Sequence, residues 1–284
     1  MIINRIINKS LDGRKFFMKI YISADLEGVT GATHWDETDK TKPDYQFFAQ
    51  QMTKEVKAAC EGAIKAGAKE IWIKDAHDTA RNIYADELPT IVKLIRGWSE
   101  HPFSMVQGLD KTFDALLMIG YHSYGSSGSN PLSHTLSSKK INYLKLNGEI
   151  ASEFLIYSYI AASMEIPVVF VSGDEGICLE ARKHIPNIRT VAVNQGIGNS
   201  TISIHPKLAL KRIEEEVNSV LKSNFQNCQI KLPEHFKVEL SFKKHTLAYR
   251  SSFYPGMKQI SPTELWFETN NYFDVLRMLL FVIL

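Results

Sequence analysis

Residues 115–120 read Ala-Leu-Leu-Met-Ile-Gly, a nearly continuous apolar run that ends in Tyr121-His122. A run with no polar face suits a strand covered on both sides, as in a parallel sheet sandwiched between helices. Similar runs recur and alternate with helical spacings. Ile20-Tyr21-Ile22 precedes a pattern over 44–66 in which Phe48, Met52, Val56, Ala59 and Ala63 share one helical face, with Gly67 as its stop. Further along, strands are predicted over 70–74, 141–146, 167–172 and 189–193, and helices over 149–164, 175–184 and 207–225. This alternation predicts an α/β fold, a layered domain with a mostly parallel sheet. From about Phe236 the pattern changes. Val238 to Phe242 alternates like a half-exposed strand, Leu265-Trp266-Phe267 offers another, and a terminal helix starts near Phe273. The expected organisation is an N-terminal extension over 1–17, an α/β domain over 18–230 and a smaller C-terminal α+β part over 231–284.

Open α/β sheets bind ligands beyond the carboxyl ends of their strands, so the residues that end the strands carry the functional signal. The first strand ends in Ser23-Ala24-Asp25-Leu26-Glu27-Gly28, the second in Asp75-Ala76-His77-Asp78 and the third in Tyr121-His122. In extended chain, residues two apart face the same side, so Asp25 and Glu27 aim at one point. Two such carboxylates repel, and a cation removes the conflict. Carboxylates and imidazoles together suit zinc, manganese or cobalt. A further ligand is available on the helix after the Asn147-Gly148 turn, where Glu149 and Glu153 lie four apart on one face. Spacing does not choose between them. Glu149 is placed like a first-turn acid, and Glu153 sits among apolar neighbours, where a carboxylate needs a partner. Asp75 and Asp78 flank His77 and are candidates to orient its ring.

The stretch Met18-Lys19-Ile20-Tyr21-Ile22-Ser23-Ala24-Asp25-Leu26-Glu27-Gly28 resembles the opening of the D-aminopeptidase DppA family, the M55 metallopeptidases with an SxDxEG motif. The resemblance continues in order through Lys74-Asp75-Ala76-His77, Pro102 to Val106, Gly120-Tyr121-His122, Leu132-Ser133-His134 and Val171-Ser172-Gly173-Asp174, covering about 18–193. It implies two zinc ions per subunit, with manganese or cobalt as possible substitutes. Asp25 would bridge them, Glu27 and His77 would complete one metal, and His122 and Glu153 the other. His134 matches the family's catalytic histidine, as nucleophile or as general acid or base. The resemblance also implies a homo-oligomer, a ring-stacked decamer with its sites facing an inner chamber. The extension over 1–17 and the serine-rich loop over 125–130 depart from the family pattern.

The function expected is therefore a zinc-dependent aminopeptidase that cleaves short peptides bearing an N-terminal D-residue. A dinuclear hydrolase acting on another small amide or a phosphoester would use similar ligands, and a non-catalytic metal-binding protein is a third class. Neither a GxGxxG nor a GxxxxGK[ST] phosphate loop is present, nor a GxSxG serine elbow. With 33 basic and 31 acidic residues, the net charge of +2 suggests neither a nucleic-acid nor a membrane-surface partner. Three scattered cysteines fit a reducing cytoplasm better than a disulfide framework. The apolar run at 279–284 is too short to span a bilayer and is expected to close a helix packed on the core or on a neighbouring subunit.

Overall fold

The computed structural model describes residues 17–284. The extension expected over 1–17 therefore lies, Phe17 apart, outside the described residues. A seven-stranded sheet is ordered β3-β2-β1-β4-β7-β8-β9, where β1 is Met18–Ala24, β2 Ala68–Asp75, β3 Val92–Ile95, β4 Ala115–Tyr121, β7 Val168–Asp174, β8 Arg189–Ile197 and β9 Ser200–Ser203. All its pairings are parallel except β8 with β9. Every residue of β4 and of β7 is buried, which is why β4 and residues 168–171 of β7 read as apolar runs. Helix α1 (Tyr45–Lys65) packs Ala49, Met52, Val56, Ala59 and Ala63 inward and ends at Gly67, whose φ of +106° lies in the region glycine enters at no steric cost.

Strand order reverses at β1. The chain proceeds from β1 to β2 and β3 on one side, then returns to place β4 on the other. That is a topological switch point, and a crevice opens where the β1 and β4 ends diverge. Two glycines bring these ends together: Gly28 N–H donates to Gly120 O at 2.9 Å and Asp25 N–H to Ile119 O at 2.8 Å. A Cβ on Gly28 would lie 1.9 Å from Tyr121 O, and one on Gly120, at φ +70°, would lie 2.3 Å from Asp25 O. Gly28 thus serves a close approach of two chains, whereas Gly31, at φ +91°, serves the turn.

The second sheet is antiparallel, ordered β11-β12-β10-β5-β6, with β5 at Ile141–Leu146, β6 at Glu149–Ile150, β10 at Phe236–Phe242, β11 at Lys258–Gln259 and β12 at Glu264–Thr269. It is not confined to 231–284, because β5 and β6 come from mid-chain and β5 pairs with β10. The reason is visible in burial: Ile141, Leu144 and Leu146 are buried while Asn142 is exposed, the mixed pattern of a sheet with one covered face. Helix α2 (Glu153–Ser163) begins four residues later than the spacing predicts. Residues 149–150 pair with β5, and Ser152 caps the helix by accepting from Leu155 N–H at 3.1 Å. Helices α3 (Glu175–His184) and α4 (Pro206–Lys222) complete the layers, α4 against α1 and β8. The short α5 (His245–Ser251) and α6 (Tyr272–Val282) follow in the C-terminal part. In α6, Val275, Met278 and Leu279 are buried while Phe281 stays largely exposed. Cys60, Cys178 and Cys228 are free and buried. Among the described residues no helix is long and apolar enough to cross a membrane.

Candidate metal centre

The strand ends at the switch point bring the predicted site residues together. Asp25, Glu27, His77, His122 and Glu153 are all at least 95% buried, and all of them but His122 line, with His134, one cavity of about 1290 Å³. Their ligand atoms form two groups, Asp25–Glu27–His77 and His122–His134–Glu153, each spanning no more than 4.8 Å. Asp25 lies between them. Its Oδ1 is 3.3 Å from His77 Nδ1, and its Oδ2 is 3.4 Å from His122 Nε2. Glu27 Oε2 lies 2.9 Å from His77 Nδ1, and Glu153 Oε2 3.5 Å from His122 Nε2. Of the two glutamates left open by spacing, Glu153 enters the site and Glu149 does not. Glu149 is exposed at the end of β5's partner strand and pairs with Lys183 at 2.9 Å.

Each imidazole is oriented by a backbone carbonyl. His77 Nε2 meets Thr38 O at 2.8 Å, His122 Nδ1 meets Ser123 O at 2.9 Å, and His134 Nδ1 meets Leu132 O at 3.0 Å. A nitrogen facing a carbonyl carries a proton, so the opposite nitrogen is the one that faces the carboxylates and would offer its lone pair to a cation bound among them. Asp75 does not orient the His77 ring. Asp75 is occupied instead by Asn82 N–H at 2.5 Å, Asn82 Nδ2 at 2.7 Å and Ile83 N–H at 2.9 Å. The chain turns directly after β2, so Asp75 stays under the loop that follows while His77 swings over the crevice. Asn82 returns the support by donating to His77 O at 2.7 Å.

The donor set fits a cation. Asp25 Oδ2 and His122 Nε2 are buried polar atoms with no hydrogen-bond partner, and they face each other; such orphans are costly unless something else satisfies them. Burial and then the Glu27 charge push the Asp25 carboxyl up to about 8. His77 is driven well above its ordinary value; burial opposes that rise, and the charge of Glu27 is the main force behind it. Three buried carboxylates thus demand positive charge from whatever sits among them. His134 differs: burial, then the neighbouring His122, lowers it, so it is neutral near pH 7. Its ring stacks on His122 with centroids 4.3 Å apart, and Trp35 presents an edge contact at 5.5 Å.

Loop 123–134 is held by Asp174, at the end of β7. It accepts from Ser123 N–H at 2.7 Å, Ile177 N–H at 2.9 Å and Asn130 Nδ2 at 3.1 Å. Asn130 also donates to Glu27 O at 3.1 Å and accepts from Leu132 N–H at 2.8 Å. Sequence reasoning did not assign a role to Asn130, Asp174 or Thr38. The pairing of Asp174 with a Gly-rich strand end was the available signal for one of them; backbone acceptors such as Thr38 O leave none.

Comparison with known proteins shows which chains this one is similar to. A family model described as D-aminopeptidase, of the M55 peptidases, matches residues 18–281. A D-aminopeptidase of Bacillus subtilis strain 168 is 28% identical over 265 residues, covering 93% of this chain and 96% of that protein. The solved structure of a Zn-dependent D-aminopeptidase DppA from Bacillus subtilis, described as a self-compartmentalizing protease, superposes with a TM-score of 0.87 at 26% identity, covering 93% of this chain and 96% of that one.

Proposed function

Because the chain belongs to the M55 D-aminopeptidase family, we propose that it is a zinc-dependent aminopeptidase that removes an N-terminal D-residue from short peptides. The observation that carries the reading is Asp25, whose two oxygens each face a different histidine across a buried acidic pair of clusters. In this proposal Asp25, Glu27 and His77 would hold one zinc ion, and Asp25, His122 and Glu153 would hold a second. When bound, zinc supplies Lewis acidity that polarises a carbonyl and makes water acidic enough to attack near neutral pH. The chain's own residues do the rest. The backbone carbonyls fix the three imidazoles. Neutral His134, its Nδ1 proton engaged by Leu132 O and Nε2 free, handles the proton that must move as the amide is cleaved. Trp35 packs edge-on against its ring.

One observation favours a second assignment for His134. Its Nε2 lies 3.9 Å from Glu153 Oε1 and groups with His122, so it has the placement of a ligand as well as of a catalyst. The protein is a homo-oligomer in this reading, supported by the self-compartmentalizing relative; a decamer of stacked rings in the cytoplasm is the specific form proposed. The test is metal analysis of the purified protein together with a panel of D- and L-dipeptides having free or acetylated amino termini, and one phosphoester. Two zinc ions per chain and cleavage of free-amine D-peptides are expected. Phosphoester cleavage without peptide cleavage would transfer the site to another dinuclear hydrolase.

A further inference from the structure

Tyr157 stands four residues after Glu153 on α2, on the same helical face, and both line the cavity of the metal centre. Its side chain is buried, at 2% exposure, and close enough to Glu153 and Asp25 to feel both charges. The Ser104 side chain and the Met105 backbone lie beside the phenol, and both residues line the same cavity. That turn is itself fixed. Ser104 takes a left-handed φ of +39°, a conformation costly for a non-glycine residue and kept only where the surroundings impose it. Its N–H donates to His101 O at 2.9 Å. Met105 O accepts from Ser23 Oγ at 2.7 Å, and Ser23 Oγ meets Tyr121 OH at 2.7 Å, so the 104–106 turn is tied to β1 and β4.

A phenylalanine would fill the same volume without burying a hydroxyl, which costs free energy unless the group is used. Tyr157 lines the cavity with the 104–105 turn beside it, so its hydroxyl can donate to an acceptor bound there. We propose that Tyr157 is a further catalytic residue, donating a hydrogen bond to the carbonyl oxygen of the scissile amide as negative charge builds there. The proton stays on the phenol throughout. Burial holds the phenol far above its ordinary value, so it is a donor at every pH at which the protein works. A fixed donor of this kind, aimed where charge develops, stabilises the transition state more than the ground state.

This inference rests on the aminopeptidase reading, and the experiment separates the two. Wild type and Tyr157→Phe are assayed with D-alanyl-glycine after metal analysis and thermal melting. In Tyr157→Phe, full metal content and an unchanged melting temperature are expected, with kcat lower by about 10²–10³, the usual worth of one such donor, and KM nearly unchanged. A Ser104→Ala variant, which loosens the phenol without removing it, is expected to fall between the two. A kcat within about threefold of wild type, or loss of metal from Tyr157→Phe, would overturn the assignment, the latter by making Tyr157 a support for Glu153. No cleavage of any peptide by metal-replete wild type would instead sink the aminopeptidase reading itself.

Discussion

At the scale of single residues, the two carboxylates Asp25 and Glu153 differ in what they touch, and that difference is measurable. Asp25 faces both histidine groups, whereas Glu153 faces His122 and His134. Asp25→Ala is expected to lose both metals, and Glu153→Gln to weaken one, as read by metal counts per chain. Equal stoichiometry in Asp25→Ala and wild type would rule out bridging. His134→Ala is expected to keep both metals and lose about 10²–10⁴ in kcat, the range for an acid–base group; metal loss from it would make His134 a ligand. The candidate ligands were legible in the sequence because a sheet delivers residues at strand ends to a common edge, so Asp25, Glu27, His77 and His122 announce themselves by position. Glu153 needed the family likeness, since spacing left Glu149 equally open. The groups that aim the rings were not legible. Thr38 O meets His77 from 39 residues away, and a backbone acceptor has no residue-type signature.

At the scale of elements, the β1–β4 junction is the sensitive joint. Gly120→Ala would place a methyl 2.3 Å from Asp25 O at a φ of +70°. The backbone conformation alone costs about 1–3 kcal/mol, and relief of the clash must move the chain that carries Asp25. Chemical denaturation is expected to show at least that loss, and metal affinity should fall with it. An Ala variant with wild-type stability and affinity would show that the junction tolerates a wider gap. Long, strongly patterned elements such as α1 and β4 were legible because burial on one or both faces writes its period into the sequence. Short ones were not: β3 has only intermediate or exposed positions, and α5 buries Ala248 alone. The start of α2 was misplaced because the helical spacing of 149–153 is overridden by pairing of 149–150 with β5 and by the Ser152 cap.

At the scale of the whole molecule, four exposed apolar side chains line the cavity, Trp35, Trp98, Phe281 and Leu284, with Phe281 at 72% and Leu284 at 49% exposure. Patches of that kind mark surfaces that meet another molecule. Light scattering is expected to return a multiple of 32.2 kDa that does not dissociate on dilution; a monomer mass across concentrations would contradict the oligomer. The mid-chain origin of the second sheet bears on how the protein is made. Strands β5 and β6 leave the ribosome roughly ninety residues before β10, the partner β5 requires, which pairs Leu146 with Val238. Closing so distant a contact is slow. Helix α2 begins three residues after β6, and Ile156 O there accepts from Tyr272 OH at 2.6 Å. Glu153 and Tyr157 therefore rest on a platform that is complete only once β10 and Tyr272 have been synthesised, so the wall of the chamber that carries them is among the last parts of the molecule to be fixed.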